Sequence, residues 1–246
     1  MVLEIAVYSP EAAIIAQNAG ANRIELCSAP AEGGLTPGAG VMKLVRNELH
    51  IPVHAMIRPR EGDFCYSEVE FRAMLLEIEE AGKAGIDGIV CGILTKEGTV
   101  DEKRLKILID AAKPMNVTFH RAFDMSKNHK ESLEILINCG ISRVLTSGGK
   151  RTALQGIEMI RKLVKQSAGR IIIMPGCGIN EFNINELTQI EGIRELHLSA
   201  KAYYKGAMEY YNPDIAMGGN IKIPEYELLL PDAEAIGRIQ SVMRNK

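Results

Sequence analysis

The sequence predicts a single (β/α)8 barrel of the TIM type with a C-terminal extension after its eighth strand. Eight short apolar runs, each with the composition of a β-strand, alternate with helical stretches. Gly20, Gly85, Gly140 and Gly192 each stand just before such a run, where a glycine commonly caps the end of a helix. Because eight βα units follow one another without a linker, we expect residues 1–246 to form one domain.

A doubly wound parallel sheet is the alternative fold. Such sheets typically carry a glycine-rich turn for a dinucleotide after the first strand. This chain has Tyr8-Ser9-Pro10 at that point, which favours the barrel.

The predicted strands are five to seven residues long. They are Leu3–Val7, Arg23–Cys27, Pro52–Arg58, Gly88–Leu94, Asn116–His120, Arg143–Ser147, Arg170–Met174 and Glu195–Ser199. Ser67–Ala84 and Asp101–Ala112 show helical spacing of apolar residues, and a last helix is predicted over Asp232–Arg244. Ala200–Pro231 shows no clear element, and stretches of this kind tend to form lids, binding loops or interface arms.

The two faces of the predicted strands differ in polarity. In the first strand Leu3, Ile5 and Val7 share one face, and Glu4 lies on the other. We expect the apolar face to pack on the helices and the polar face to point into the barrel, where Val, Ile and Leu are usual. The polar residues expected inside must pair with one another or with a ligand, and they are Glu25, His54, Arg58, His120 and His197.

The composition limits the classes of function. A net charge of −2 gives no electrostatic reason to expect binding to nucleic acid or to an anionic membrane. We find no apolar run of transmembrane length and no secretion signal at the N-terminus. The five cysteines are scattered without a CxxC motif, so reduced thiols in a cytoplasmic protein are expected.

Polar residues at the carboxyl ends of the predicted strands are the candidates for a site, because active sites of such barrels form there. Glu25 and Cys27 place a carboxylate and a thiol on one face of the second strand. Cys27 is a soft-metal ligand or nucleophile in one interpretation and a small buried hydrophobe in the other. Arg58 and Arg60 suit the binding of carboxylate or phosphate, although Arg58 could instead pair with Glu25.

His120, Arg121 and Asp124 follow the fifth strand directly. They fit a general base or metal ligand with its orienting partners, and the alternative is a histidine that only satisfies hydrogen bonds. Glycine and serine turns end the last three strands, where barrels of this type often bind phosphate on backbone amides. The residues concerned are Ser147, Gly148, Gly176, Gly178, His197 and Ser199. Such turns also occur without any ligand.

Several strings in the chain resemble those of the CutC family of copper homeostasis proteins. They are Glu25-Leu26-Cys27, GGLTP, MIRPR with GDF, TFHRAFD, LTSGG, MPGCGI and HLSA, and the resemblance covers nearly the whole chain. It implies a TIM-type barrel, a cytoplasmic homo-oligomer and Cu(I) binding. The ligands it implies are cysteines at the ends of the first two strands. This chain has Cys27 at the second position but Ala6 at the first, and Cys177 where the family more often has glycine.

Two hypotheses of function follow, from different classes. In the first, the protein binds Cu(I) for copper homeostasis at the C-terminal mouth of the barrel, with Cys27, Met56 and His120 or His197 as ligands. In the second, it is an enzyme for a small anionic substrate, with Glu25, His120 and Asp124 as acid–base candidates and Arg58 as the anion clamp. A third possibility is a sensor that binds a small molecule and uses 200–231 for protein contacts.

Overall fold

Eight parallel strands alternate with helices around a nearly closed barrel, as the sequence predicts. A computed structural model describes residues 1–215, 217 and 224–244 of the chain. The strands are β1 (Val2–Val7), β2 (Arg23–Leu26), β3 (Val53–Met56), β4 (Gly88–Cys91), β5 (Asn116–Phe119), β6 (Arg143–Thr146), β7 (Ile172–Pro175) and β8 (Glu195–Leu198). They are hydrogen-bonded in the order β7-β6-β5-β4-β3-β2-β1-β8, and a parallel bridge between Gly176 and His197 joins the two edges.

Seven helices fill the connections between these strands, and an eighth follows the extension. They are α1 (Pro10–Asn18), α2 (Ala39–Glu48), α3 (Glu68–Lys83), α4 (Glu102–Ala112), α5 (His129–Asn138), α6 (Ile157–Ser167), α7 (Ile184–Thr188) and α8 (Ala233–Arg244). The sequence predicts the start of α3 well, because Ser67 and Glu70 form a reciprocal capping box there. None of the helices in the described residues is both long and apolar enough to span a lipid bilayer.

The extension differs from the sequence prediction. Residues 200–231, predicted to lack a clear element, contain an antiparallel ribbon of β9 (Lys201–Lys205) and β10 (Glu227–Pro231). Residue 216 and residues 218–223 of this stretch lie outside the described residues. The two strands are 21 residues apart in the chain, so their pairing is a tertiary contact that local patterning does not reveal.

The barrel interior is polar, as the alternation of the strands predicts. Leu3, Ile5 and Val7 are buried in the hydrophobic core, whereas Glu4, between them in the chain, is buried on the opposite face. The register makes Glu4 the direct neighbour of Arg23 on β2 and of His197 on β8. Strand pairing alone therefore brings a carboxylate, a guanidinium and an imidazole to one level inside the barrel.

Candidate active site

A cavity of about 470 Å³ opens at the end of the barrel where the strands finish. Its lining comes from β1, β2, β3, β5, β6, β7 and β8 and from the loops that follow them, so seven of the eight strands contribute to it. A cavity of this size suits a small molecule rather than a macromolecule.

Three side chains at the base of this cavity are linked by one hydrogen bond and one ion pair. His197 Nδ1 lies 2.8 Å from Glu4 Oε1, and its Nε2 lies 3.7 Å from Glu25 Oε2. Glu4 is fully buried, whereas Glu25 and His197 line the cavity. Oε1 of Glu25 is buried and has no hydrogen-bond partner among the described residues. Glu4 therefore orients the imidazole from below, and Glu25 faces the cavity with an unused oxygen.

The protonation of these groups follows from their burial and from one another. Burial raises the pKa of Glu25, since the nearby His197 compensates only in part. Burial also opposes the charged form of His197, but the carboxylates of Glu25 and Glu4 outweigh it and raise the pKa of the imidazole. The pKa of Glu4 lies below its usual range despite burial, because His197 and Arg23 stabilise the carboxylate. Glu25 and His197 are therefore the groups able to hold a transferable proton.

Beneath these three side chains lies a network of buried ion pairs. Arg23 pairs with both Glu4 and Glu195, and Arg143 Nε lies 2.9 Å from Glu195 Oε2. All four side chains are less than a tenth exposed. Charges of opposite sign thus alternate from Arg143 to His197 across the barrel, which offsets the cost of burying each one.

His120 lies on the opposite side of the cavity, at the end of β5. Its Nδ1 accepts a hydrogen bond of 3.1 Å from the amide of Ala122, so the proton of the neutral ring is on Nε2. Nε2 is buried and has no partner. Burial, helped by the charge of Arg58, lowers the pKa of His120 to about 3. Gly92 makes room for the ring, since a Cβ there would stand 2.4 Å from Cε1 of His120.

Arg58 lies beside His120 at the end of β3. Its Nη1 donates to the carbonyls of Glu32 at 2.7 Å and Gly34 at 3.1 Å, and its Nη2 to that of Gly62 at 3.2 Å. The pairing with Glu25 that the sequence left open is not formed. The guanidinium instead links the loop that contains Glu32 and Gly34 to the loop that contains Gly62. Its Nε is buried and has no partner among the described residues.

Asp124 lies in the short 3-10 helix Arg121–Met125 after β5, and its carboxylate reaches into the glycine turn after β6. Its Oδ1 accepts hydrogen bonds from Thr146 Oγ1 at 2.5 Å and from the amide of Gly149 at 3.0 Å, and its Oδ2 accepts from the amide of Ser147 at 2.9 Å. Arg121 Nε completes the set at 2.8 Å. Burial favours the neutral acid, but these hydrogen bonds outweigh it and lower the pKa of Asp124. A carboxylate that accepts this many hydrogen bonds stays ionised and fixes the position of the turn, and it is a poor proton acceptor.

Cys27 is buried just beneath the cavity against Met56, Val90 and Tyr8. Its Sγ lies 3.6 Å from Glu25 Oε2. Burial and the neighbouring carboxylate of Glu25 raise the pKa of this thiol well above its ordinary value. The thiol is therefore not an activated nucleophile in the protein without a metal.

A model of the CutC family matches residues 1–202 of the chain. The chain belongs to the CutC family. It is 41% identical over 243 residues to the human copper homeostasis protein cutC homolog. The alignment covers 99% of this chain and 89% of the human protein. The CutC family protein of Bacteroides fragilis is 45% identical over 225 residues, with coverage of 91% and 90%.

The solved structure of CutC from Streptococcus agalactiae superimposes with a TM-score of 0.77 and 32% identity, covering 81% of this chain and 98% of that one. More distant barrels share only the fold. Thiamine phosphate pyrophosphorylase from Pyrococcus furiosus, for example, is 13% identical, with a TM-score of 0.60 and coverage of 99% and 96%. The fold and the family predicted from the sequence are thus confirmed.

The cavity gathers most, but not all, of the residues predicted from the sequence. Those that line it are Glu25, Arg58, His120, Arg121, Asp124, Gly178, His197 and Ser199. Arg60 is directed elsewhere, since it pairs with Glu70 at 2.6 Å and with Asp63 at 3.0 Å. Cys27, Ser147, Gly148 and Gly176 do not line the cavity.

Three further residues at this site were not selected from the sequence. Glu4 orients His197, and Tyr8 and Phe64 line the cavity. The alternation of residues in β1 places Glu4 on the inner face of the barrel. A charged residue within an apolar strand is the sequence feature that could have identified Glu4 as part of the site. Tyr8 and Phe64 stand in loops, where their spacing carries no comparable signal.

Proposed function

We propose that the cavity is the active site of an enzyme that transfers a proton to or from a small anionic molecule, with Glu25 and His197 as the acid–base pair. The observation that carries this proposal is the chain from Glu4 through His197 to Glu25, which ends in a buried carboxyl oxygen without a partner. A histidine held by one carboxylate and facing another has a fixed orientation and a proton to give or take.

Each group has a distinct part in such a reaction. Glu4 stays ionised, fixes the ring of His197 and stabilises its positive charge. Glu25, with its raised pKa, is the group that exchanges a proton with the bound molecule. Arg58 and His120, on the other side of the cavity, present N–H groups to the same molecule.

The proposal is tested by solvent exchange. The protein is incubated in D2O with a panel of small hydroxy acids, oxo acids and sugar phosphates, and deuterium uptake at carbon is followed by mass spectrometry. We expect at least one compound to take up deuterium with the natural protein and at least 100-fold more slowly with Glu25→Gln, because general acid–base groups contribute about 10²- to 10⁴-fold. A panel in which the variant and the natural protein give equal rates contradicts the proposal.

Copper binding is the second candidate function, and the position of Cys27 favours it. Its Sγ lies 3.6 Å from the Glu25 oxygen that faces Nε2 of His197, and Met56 packs against the thiol. Thiolate, thioether and imidazole are donors that Cu(I) accepts. Cys27 would hold the metal, with Met56 as a further soft donor. His197 belongs instead to the group of possible ligands that lie within 4.8 Å of one another among the described residues, which consists of Glu4, Glu25 and His197 and does not include Cys27. Ala6 removes the second cysteine that the family resemblance implies.

Titration of the reduced protein with Cu(I) against a competing chelator tests this second function. If copper binds here, we expect one-to-one binding that weakens at least 100-fold in Cys27→Ser. The matched control is Cys91→Ser, because Cys91 is equally buried but is packed in the hydrophobic core. Binding that survives the Cys27 substitution, or that is lost equally in the control, contradicts a copper site at the mouth of the barrel.

A further inference from the structure

The charge of Arg58 is not balanced by the protein. Its Nη groups donate to three backbone carbonyls, which are neutral. No carboxylate oxygen in the described part of the chain lies within 4.0 Å of its nitrogens. The residue is only 8% exposed, and its Nε has no partner. A buried cation in this situation is costly unless an anion binds beside it.

His120 adds a second donor on the same wall of the cavity. Nε2–H is buried and unpaired, and the ring is 4% exposed. The ring of Phe64 packs against both groups, with 4.8 Å between its centroid and that of His120 and 5.2 Å between its centroid and Cζ of Arg58. An apolar ring that touches both donors keeps water from this wall, which strengthens their attraction for an anion.

Four of the backbone amides in the turns predicted to hold a phosphate are already used by the protein. The amides of Ser147 and Gly149 donate to Asp124, and that of Gly148 donates to Thr146 Oγ1 at 2.9 Å. The amide of Gly176 in the next turn donates to the carbonyl of Thr146 at 3.0 Å. A carboxylate of the chain itself therefore occupies the anion-binding turn after β6.

We propose that the ligand of the cavity is a small monocarboxylate, whose carboxylate is bound by Nε of Arg58 and Nε2 of His120. One positive charge and two N–H donors match one planar carboxylate, whereas a phosphate dianion calls for more donors and more charge. The carbon next to the carboxylate then faces Glu25 and His197 across the cavity. This inference rests on the proposed function in one respect only, namely that the ligand and the acid–base pair of Glu25 and His197 share one cavity.

Thermal unfolding with added anions tests the proposal. Acetate, pyruvate and lactate are compared with inorganic phosphate and with sodium chloride at equal ionic strength. We expect a saturable rise in Tm with at least one carboxylate and no rise with phosphate beyond that with chloride. Isothermal titration calorimetry of the same carboxylate then gives its Kd.

Two variants locate the binding site. We expect Arg58→Met to raise the Kd at least tenfold. Since this substitution also frees the loops that Arg58 fastens, His120→Asn is the second variant, because asparagine can still accept the hydrogen bond from Ala122. It is expected to raise the Kd about fivefold or more. Arg104→Met is the matched control, since Arg104 also donates to a backbone carbonyl, that of Tyr66 at 2.6 Å, but does not line the cavity.

Two results would overturn the proposal. One is stabilisation by phosphate without stabilisation by any carboxylate. The other is carboxylate binding that is unchanged in both Arg58→Met and His120→Asn. The binding test and the deuterium test can give different results, because carboxylate binding requires no turnover, whereas deuterium exchange at carbon requires turnover.

Discussion

Individual residues in the cavity differ sharply in protonation, although their side chains share one small space. Glu25 has a raised pKa and Asp124 a lowered one, although both line the cavity. The difference lies in their donors, since Asp124 accepts hydrogen bonds from a whole turn and Glu25 Oε1 accepts none. Two carboxyl groups of the same cavity thus differ in protonation, which agrees with the proposed role of Glu25 as an acid and leaves Asp124 as an ionised anchor.

The pH dependence of stability tests the assignment of His120 as a neutral donor. Its folded pKa of about 3 lies below the 6.5 of an ordinary histidine, so below pH 6.5 the unfolded chain binds a proton that the folded chain does not. The contribution of His120 to stability is therefore present above pH 6.5 and is lost as the pH falls. Between pH 7 and pH 5 this loss amounts to about 2 kcal/mol, at ~1.4 kcal/mol per pH unit.

Urea unfolding of the natural protein and of His120→Asn at both pH values isolates this contribution. Other groups, including His54, Glu25 and His197, contribute equally to both proteins and cancel in the difference. We expect the natural protein to lose more stability than the variant on acidification. An equal loss in both would show that His120 is charged in the folded state.

At the scale of elements, the eight strands were predicted because each has a short apolar run before a polar end, and their observed bounds differ by a few residues at most. The ribbon of β9 and β10 was missed, since its partner strands are far apart in the chain. The hydrogen-bond partners of Asp124 were not predicted for the same reason, because Thr146 and Ser147 lie 22 and 23 residues away from it. Local patterns predict elements, whereas side-chain partners depend on register and loop path.

Gly176, directly after β7, packs closely against the ring of His197 and so limits the position of that ring in the site. It forms the bridge to His197 that joins β7 to β8, and a Cβ there would stand 2.5 Å from Leu145 Cδ1 and 3.2 Å from His197 Cδ2. We expect Gly176→Ala to lower the free energy of unfolding by about 1–3 kcal/mol, as overpacking does. The NMR signals of the His197 ring are expected to shift, since the ring must move.

Gly40→Ala is the matched control for this experiment. Gly40 lies in α2, and no atom stands within 4 Å of the position of its Cβ. Alanine there is expected to raise the free energy of unfolding by up to about 1 kcal/mol. If both substitutions had the same effect, the close packing at Gly176 would not limit the barrel.

At the scale of the whole molecule, paired charges lie inside the ring of strands, whereas the strand faces that point outward belong to the apolar core. We expect Glu195→Gln to lower the free energy of unfolding by about 3–5 kcal/mol, because it removes the negative charge between Arg23 and Arg143. Chemical denaturation measures this change.

Glu134→Gln is the control for the interior pair. Glu134 lies 2.9 Å from Arg170, but both side chains are at least 40% exposed. Water screens such a pair, so its loss is expected to cost less than about 1 kcal/mol. Equal losses in the two variants would contradict a structural role for the buried network.

The alternating charges of the barrel interior also bear on how the chain folds while it is being synthesised. Glu4 and Arg23 leave the ribosome early, but His197 follows Glu4 by 193 residues and Glu195 follows Arg23 by 172. Until then the first two strands have an inner face whose charges lack half of their partners, and burying that face is unfavourable. We therefore expect the nascent barrel to stay open until its last strand is made, and the proposed proton-transfer site to be completed in that same final step.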